Sequence, residues 1–218
     1  MFQLSINSAT TFVRTALDEL TTVEEIGQLV DADAVNLQRL VVNTIVEAVV
    51  RTHQGAASVL VDGIKGIVGE DYKAELEDNG VITITMLQDT LRVASIQAED
   101  SPVVLTDIVP ENSAEGRKQQ NTYVRGVADD PRVVLQKRWS MSYKPILKYY
   151  STERTKCPKI YLEYIPYPYV GEDGMIDICP QLEYAVLNEL TAIVLDSVNQ
   201  HEKASLYRAK AQAIMEGR

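Results

Sequence analysis

Histidine and cysteine are scarce in this chain, two of each among 218 residues, and that poverty removes most metal and nucleophile chemistry. Cys157 and Cys179 cannot build a disulfide framework, so the expectation is two free, buried thiols in a reducing cytoplasm. His53 and His201 have no second His or Cys at i+3 or i+4, the spacing a zinc site on a helix requires. Each is expected in solvent or at a helix end. Glycine-rich phosphate cradles are missing too. Gly63-Ile64-Lys65-Gly66-Ile67-Val68-Gly69 spaces its glycines by three but has neither GxxxxGK[ST] nor GxGxxG after a strand, which leaves a flexible turn. Asp31-Ala32-Asp33 lacks the later ligands of a calcium loop, Glu172-Asp173-Gly174 reads as a turn, and no serine stands in a GxSxG context. The expectation is a protein that is not an enzyme and holds no cofactor or metal.

Long apolar runs are absent as well: nothing approaches the ~20 residues a membrane span needs. The start, Met1-Phe2-Gln3-Leu4-Ser5, has neither a basic nor an apolar signal region, so synthesis in a cytoplasm is expected. Positive charge is in short supply, with 21 basic against 31 acidic residues. A net charge of −10 argues against a surface devoted to nucleic acid. What basic charge there is clusters. Residues 132–159 hold eight cations (Arg132, Lys137, Arg138, Lys144, Lys148, Arg154, Lys156, Lys159) and one acid, Glu153, leaving 13 basic and 30 acidic residues elsewhere. Trp139 and seven of the eleven tyrosines (143, 149, 150, 161, 164, 167 and 169) are interleaved with this island. Aromatics among cations suit single-stranded nucleic acid, but they also suit protein interfaces and plain core packing, and an acidic chain favours the latter two.

Periodicity supplies the fold class. Residues 8–20 carry an apolar stripe (Ala9, Phe12, Val13, Ala16, Leu17, Leu20) at helical spacing, with Ser8 as N-cap. Thr22 and Glu25 have capping-box spacing, and Asp33 caps a helix over 33–53 that Gly55 ends. In that helix Leu37, Leu40, Val41, Ile45, Ala48 and Val49 form the main stripe. Val35, Val42, Val46 and Val50 add a second row, so burial on two sides, partly by another subunit, is expected. Residues 81–165 turn strand-like at 81–87, 91–96, 103–109, 122–127 and 132–136, with 145–150 and 159–165 as a hairpin. Residues 110–121 have little to bury and read as an exposed, mobile loop. Pro180 opens a helix lined by Leu182, Val186, Leu190, Ile193 and Val194. Asn199 turns the chain into another, lined by Ala204, Tyr207, Ala211 and Ile214, so helices fill 181–216. The order predicts one α+β domain over 1–218: an N-terminal helix pair, a mostly antiparallel sheet with hairpin and long loop, and a C-terminal helical hairpin.

One stretch carries a resemblance. The strand Lys159-Ile160-Tyr161-Leu162-Glu163-Tyr164-Ile165-Pro166 is followed by a Pro- and Gly-punctuated loop and by Ile178-Cys179-Pro180-Gln181-Leu182-Glu183-Tyr184-Ala185-Val186-Leu187. The Ala-rich Tyr207-Arg208-Ala209-Lys210-Ala211-Gln212-Ala213-Ile214-Met215 ends the chain. With the N-terminal helix pair over 8–53, this order resembles the head–tail adaptor proteins of tailed phages, a family of podophage tail tubular and neck ring proteins, crAss-like phage ring proteins among them. It covers about the first and the last quarter of the chain; residues 54–158 depart from the pattern. The resemblance implies a structural virion protein made in the host cytoplasm. It would be one subunit of a homo-oligomeric ring, commonly of twelve, in the neck between portal and tail, with double-stranded DNA passing through the lumen and no membrane contact. An acidic wall suits such a channel, because cations would hold the phosphates. Tail-completion or stopper proteins, and a nucleic-acid-binding accessory protein using residues 132–169, are the alternatives. The residues expected at interfaces are Val42, Val46, Val50, Lys137, Arg138, Trp139, Lys144, Lys148, Arg154, Tyr164 and Tyr167.

Overall fold

The computed structural model of the chain describes residues 2–20, 34–127, 129–136, 144–151 and 156–217, with backbone alone at 18–20 and 34–36. The chain opens with β1 (Phe2–Ser5), α1 (Ile6–Leu20) and α2 (Ala34–Gly55). A β-rich stretch follows: β2 (Ile64–Lys65), β3 (Tyr72–Leu76), β4 (Ile82–Met86), β5 (Thr90–Ala98), β6 (Ile108–Pro110), the short α3 (Ala114–Lys118), β7 (Arg132–Gln136), β8 (Ile146–Tyr150) and β9 (Ile160–Pro166). It closes with β10 (Met175–Ile178), α4 (Glu183–Ser197) and α5 (His201–Met215). The class is α+β, as expected. Within the single domain that the element order predicts, the chain forms two compact units, Met1–Asp62 with Pro168–Arg218, and Gly63–Tyr167. Each has its own apolar core.

The first unit is helical. Helix α1 begins at Ile6, two residues before the expected cap, because Ser5 rather than Ser8 fills that role: its Oγ accepts from the Ser8 amide at 3.0 Å. Ala9, Val13 and Ala16 are buried along one face. Helix α2 buries Val41, Ile45, Ala48 and Val49 from its main stripe. The helix enclosed on all sides is neither of these but α4, which packs on α1, α2 and α5. Between Ala185 and Leu195 only Ile193 is half-buried; the rest are buried. Pro180 starts the 3-10 turn Pro180–Leu182 that leads into it, where its missing N–H costs nothing. Asn199, at a φ of 61°, reverses the chain into α5. Strands β1 and β10 pair antiparallel, in register from Phe2 opposite Ile178 to Ser5 opposite Met175. Leu4, Ile176 and Ile178 add their side chains to the helical core.

The second unit is built of strands. One sheet runs β3-β4-β8-β7-β6, antiparallel except for the parallel pair β6–β7; the other runs β2-β9-β5. Alternation sets the inner faces: Ile82, Ile84 and Met86 of β4 are buried while Thr83 and Thr85 between them are half-buried. They meet Val93, Ile96, Ile160, Leu162 and Tyr164 of the smaller sheet in one core. The expected hairpin does not form. Strand β8 pairs with β4 and β7, whereas β9 pairs with β5 and β2 in the other sheet. Neighbours in sequence default to pairing, but both edges of each strand are already taken. Of residues 103–109, Leu105 alone bridges to Ile96 before β6 begins at Ile108. Residues 122–127 form turns, with Tyr123 96% exposed, and among the described residues only Val127 bridges, to Asp130. The caps at Thr22, Glu25 and Asp33 lie outside the described residues.

The polar stretch 110–121 also differs from its expected form. It folds into α3, capped by Ser113, whose Oγ accepts from the Gly116 amide at 2.9 Å. Gln119 is buried, and its Oε1 accepts from the Gly126 amide at 2.7 Å. A side chain at Gly116 would lie 2.3 Å from the Pro110 carbonyl, so the glycine is what lets the turn close. The segment offsets its ordering by side-chain-to-backbone bonds rather than by apolar burial.

Candidate interface surfaces

The residues expected at interfaces divide into three groups. Lys137, Arg138, Trp139 and Arg154 lie outside the described residues. Val42, Val46 and Val50 fall on one flank of α2, with Val42 40% exposed and the other two half-buried, Val46 packed against the helical core. The second valine row is therefore a half-open flank, and encirclement belongs to α4. The rest come from the second unit. Lys144 is exposed and Tyr167 half-buried, its amide donating to the Asp89 carbonyl at 2.9 Å. Lys148 and Tyr164 instead make contacts within that unit.

Lys148 lies 3.3 Å from Glu77, which also accepts from the Thr83 hydroxyl and the Asn79 side-chain amide. The Thr83 hydrogen bond first, then Lys148 and Asn79, outweigh desolvation and hold the Glu77 carboxyl below the usual carboxylate range. Arg132 likewise pairs with Asp130 at 2.8 Å. Part of the basic island is thus neutralised inside its own unit. Tyr164 is 4% exposed and belongs to the core; its hydroxyl donates to Asp71 at 3.0 Å. Burial, and then that hydrogen bond, push the phenol up to about 12.

The histidines and cysteines split. His201 at the start of α5 is exposed and contacts Asp196 at 2.9 Å, at a helix end as expected. His53 lies in the last turn of α2, at a helix end as expected, but is fully buried: Nδ1 lies 2.9 Å from the Val49 carbonyl and Nε2 accepts from the Cys179 amide at 3.1 Å. A carbonyl on one side and an N–H on the other fix the neutral, Nδ1-protonated ring. Cys179 is buried as expected, but Cys157 is exposed. Among the described residues no group of three His, Cys, Asp or Glu side chains is placed to hold a metal, and no helix is long and apolar enough to cross a membrane.

Sequence reasoning missed a charged network on α4. Glu189 is buried, its side chain 8% exposed, on the enclosed helix. Arg51 of α2 reaches it at 3.1 Å and Arg208 of α5 at 3.8 Å. Each arginine has a second carboxylate, Glu47 at 2.5 Å and Asp196 respectively. The hydrogen bonds of His201 and then Arg208 keep Asp196 below its ordinary pKa. Glu189, the one charged residue between Ala185 and Leu195, is the signal that was legible, since a carboxylate buried in an apolar stretch needs a cationic partner.

Sequence reasoning also missed a cleft in the second unit, of volume about 680 Å³, on the outer side of β9. The turn after β2 forms one wall, presenting Ile67 and Val68 at 55% and 53% exposure. That turn is held hard. The Ile67 amide donates to Asp71 Oδ2 at 2.7 Å, Gly69 sits at a φ of +89°, and Tyr164 grips the other oxygen of Asp71. Gly63 lies where a Cβ would come within 3.0 Å of Ala94, Glu163 and Tyr164, so close packing and not phosphate binding explains that glycine. Val104 and Tyr161 complete the apolar lining, with Lys65 and Lys159 also in the cleft wall. Lys159 stands 5.1 Å over the Tyr161 ring, and neither lysine has a carboxylate partner among the described residues.

No protein-family model matches the chain, and no curated protein matches it.

Proposed function

We propose that the chain is a structural virion protein, a subunit of a homo-oligomeric head–tail connector ring between portal and tail, acting through contacts rather than catalysis. The observation that carries this reading is where the adaptor-like segments fold. Their helical parts, residues 8–53 and 178–215, come together as one unit, Met1–Asp62 with Pro168–Arg218, while their strand Lys159–Pro166 belongs to the other. Most of the stretch that departs from the adaptor pattern, residues 63–158, lies with that strand in the second unit, Gly63–Tyr167. A connector core with a β unit inserted into it is the simplest organisation that yields both facts. The α4–α5 hairpin, entered through Pro180 and turned at Asn199, adds support. The subunits number about twelve in this reading, a figure that the family resemblance alone supplies. The net charge of −10 suits a lumen that lets double-stranded DNA pass. The internal pairing of Arg132 and Lys148 weighs against a nucleic-acid role for residues 132–169.

Class-averaged electron micrographs and native mass of the purified protein, alone and mixed with portal protein, test the proposal. Rings, or rings nucleated by portal, are expected. A chain that stays monomeric at every concentration and ignores portal would overturn it.

A further inference from the structure

We infer that the cleft beside β9 receives a second copy of this chain, through the acidic turn that carries Tyr169 and Glu172. The inference rests on the reading of the chain as a self-assembling subunit and names the contact that joins one copy to the next.

The starting point is charge. Two copies at −10 each repel at long range, so a stable self-contact must set cations of one copy against acids of the other. Lys65 and Lys159 are exposed cations with no ion pair to a carboxylate among the described residues, and they stand in the wall of a cleft lined by Ile67, Val68, Val104 and Tyr161 together with Ser95, Gln97 and Glu163, whose carboxylate accepts from the Ser95 hydroxyl. The Asp71 clamp holds Ile67 and Val68 out in water instead of letting them fold inward. A fixed, half-apolar recess with positive charge calls for an aromatic or aliphatic side chain flanked by a carboxylate.

The chain offers such a ligand on its other unit. Tyr169 is 74% exposed and Glu172 is exposed beside it, on a turn as rigid as the cleft wall. The Gly171 amide donates to the Met175 carbonyl at 2.8 Å, and the Gly174 amide to the Gly171 carbonyl at 3.0 Å. The Met175 amide donates to Asp173 Oδ1 at 3.0 Å, with Gly174 at a φ of +72°. Little ordering entropy is left to lose on docking, which favours affinity. Because cleft and turn are different surfaces, the contact is heterologous: each copy gives one and takes one, the arrangement that closes into rings.

The test uses the full chain. Sedimentation velocity over a range of concentrations would compare wild type with Lys65→Glu/Lys159→Glu, Tyr169→Ala and, as control, Tyr184→Ala, with circular dichroism to verify folding. The cleft and Tyr169 variants should need at least tenfold more protein to associate, and Tyr184→Ala should behave as wild type. Adding Glu172→Lys to the double lysine variant should restore association. In a Cys157→Ser background, Val104→Cys/Tyr169→Cys should oxidise to a ladder of multimers. If wild type associates but the variants follow it unchanged and no ladder forms, the cleft assignment falls while the ring reading stands. A wild type that never associates, alone or with portal, removes both.

Discussion

Replacing Arg51 and Glu189 separately by methionine should give very different losses, although the two side chains form one ion pair. Glu189 is almost out of reach of water, its side chain 8% exposed, whereas Arg51 and Arg208 are 47% and 41% exposed. Each arginine also keeps another carboxylate, Glu47 or Asp196. Glu189→Met therefore strands nothing, and it fills an apolar site on α4; its cost should be within about 1 kcal/mol of zero, as for buried pairs exchanged for hydrophobes. Arg51→Met leaves Glu189 with Arg208 alone at 3.8 Å and should cost about 2 kcal/mol, a buried charge losing its better hydrogen bond. Arg51→Met/Arg208→Met leaves the carboxylate with no partner and should cost roughly 3–5 kcal/mol, much of a domain's stability. Urea unfolding followed by circular dichroism at 222 nm reads the helical unit, which among the described residues holds every helix but α3. If Glu189→Met costs as much as the double arginine variant, the carboxylate is a net stabiliser and the asymmetry argued from exposure is wrong.

His53→Phe should destabilise the helical unit by about 1–3 kcal/mol despite keeping an aromatic ring of similar bulk, because the buried Cys179 amide loses its ring acceptor. An unchanged urea midpoint would show that this hydrogen bond is worth nothing. Thr83→Val removes the hydroxyl that does most to depress Glu77, and should cost about 1 kcal/mol at neutral pH. Because the folded Glu77 pKa lies below its unfolded value of about 4.3, this contribution is present above that value and fades as pH falls through the folded one. Chemical denaturation of the strand-built unit, followed at pH 7 and again at successive values below 4, should show the gap between wild type and variant narrowing. A gap constant with pH would refute the assignment.

The sequence by itself determined the elements whose neighbours are close in the chain. The apolar stripe of α1, the Pro180 entry and Asn199 turn around α4, the α4–α5 hairpin, and strands β4, β5, β7, β8 and β9 follow from side-chain period and local turn chemistry. Those signals act over a few residues and need no partner to be read. Tertiary structure alone decided who pairs with whom. Strands β8 and β9 look like a hairpin, yet they enter different sheets, because a strand's period says which face is buried and not which edge is bonded. Strand β3, with Lys73 and Glu75 pointing outward, was invisible until β4 paired with it. Residues 103–109 and 122–127 have strand composition but mostly no partner, and most of them remain outside any strand. The interface surfaces follow the same division. Clusters of charge and aromatics were legible, but whether a lysine meets Glu77, as Lys148 does, or stands in the wall of a cleft, as Lys65 does, depends on contacts from distant parts of the chain. Which cations meet Glu189, and that His53 accepts from the Cys179 amide, was out of reach, since those partners come from three helices and a loop that only folding brings together.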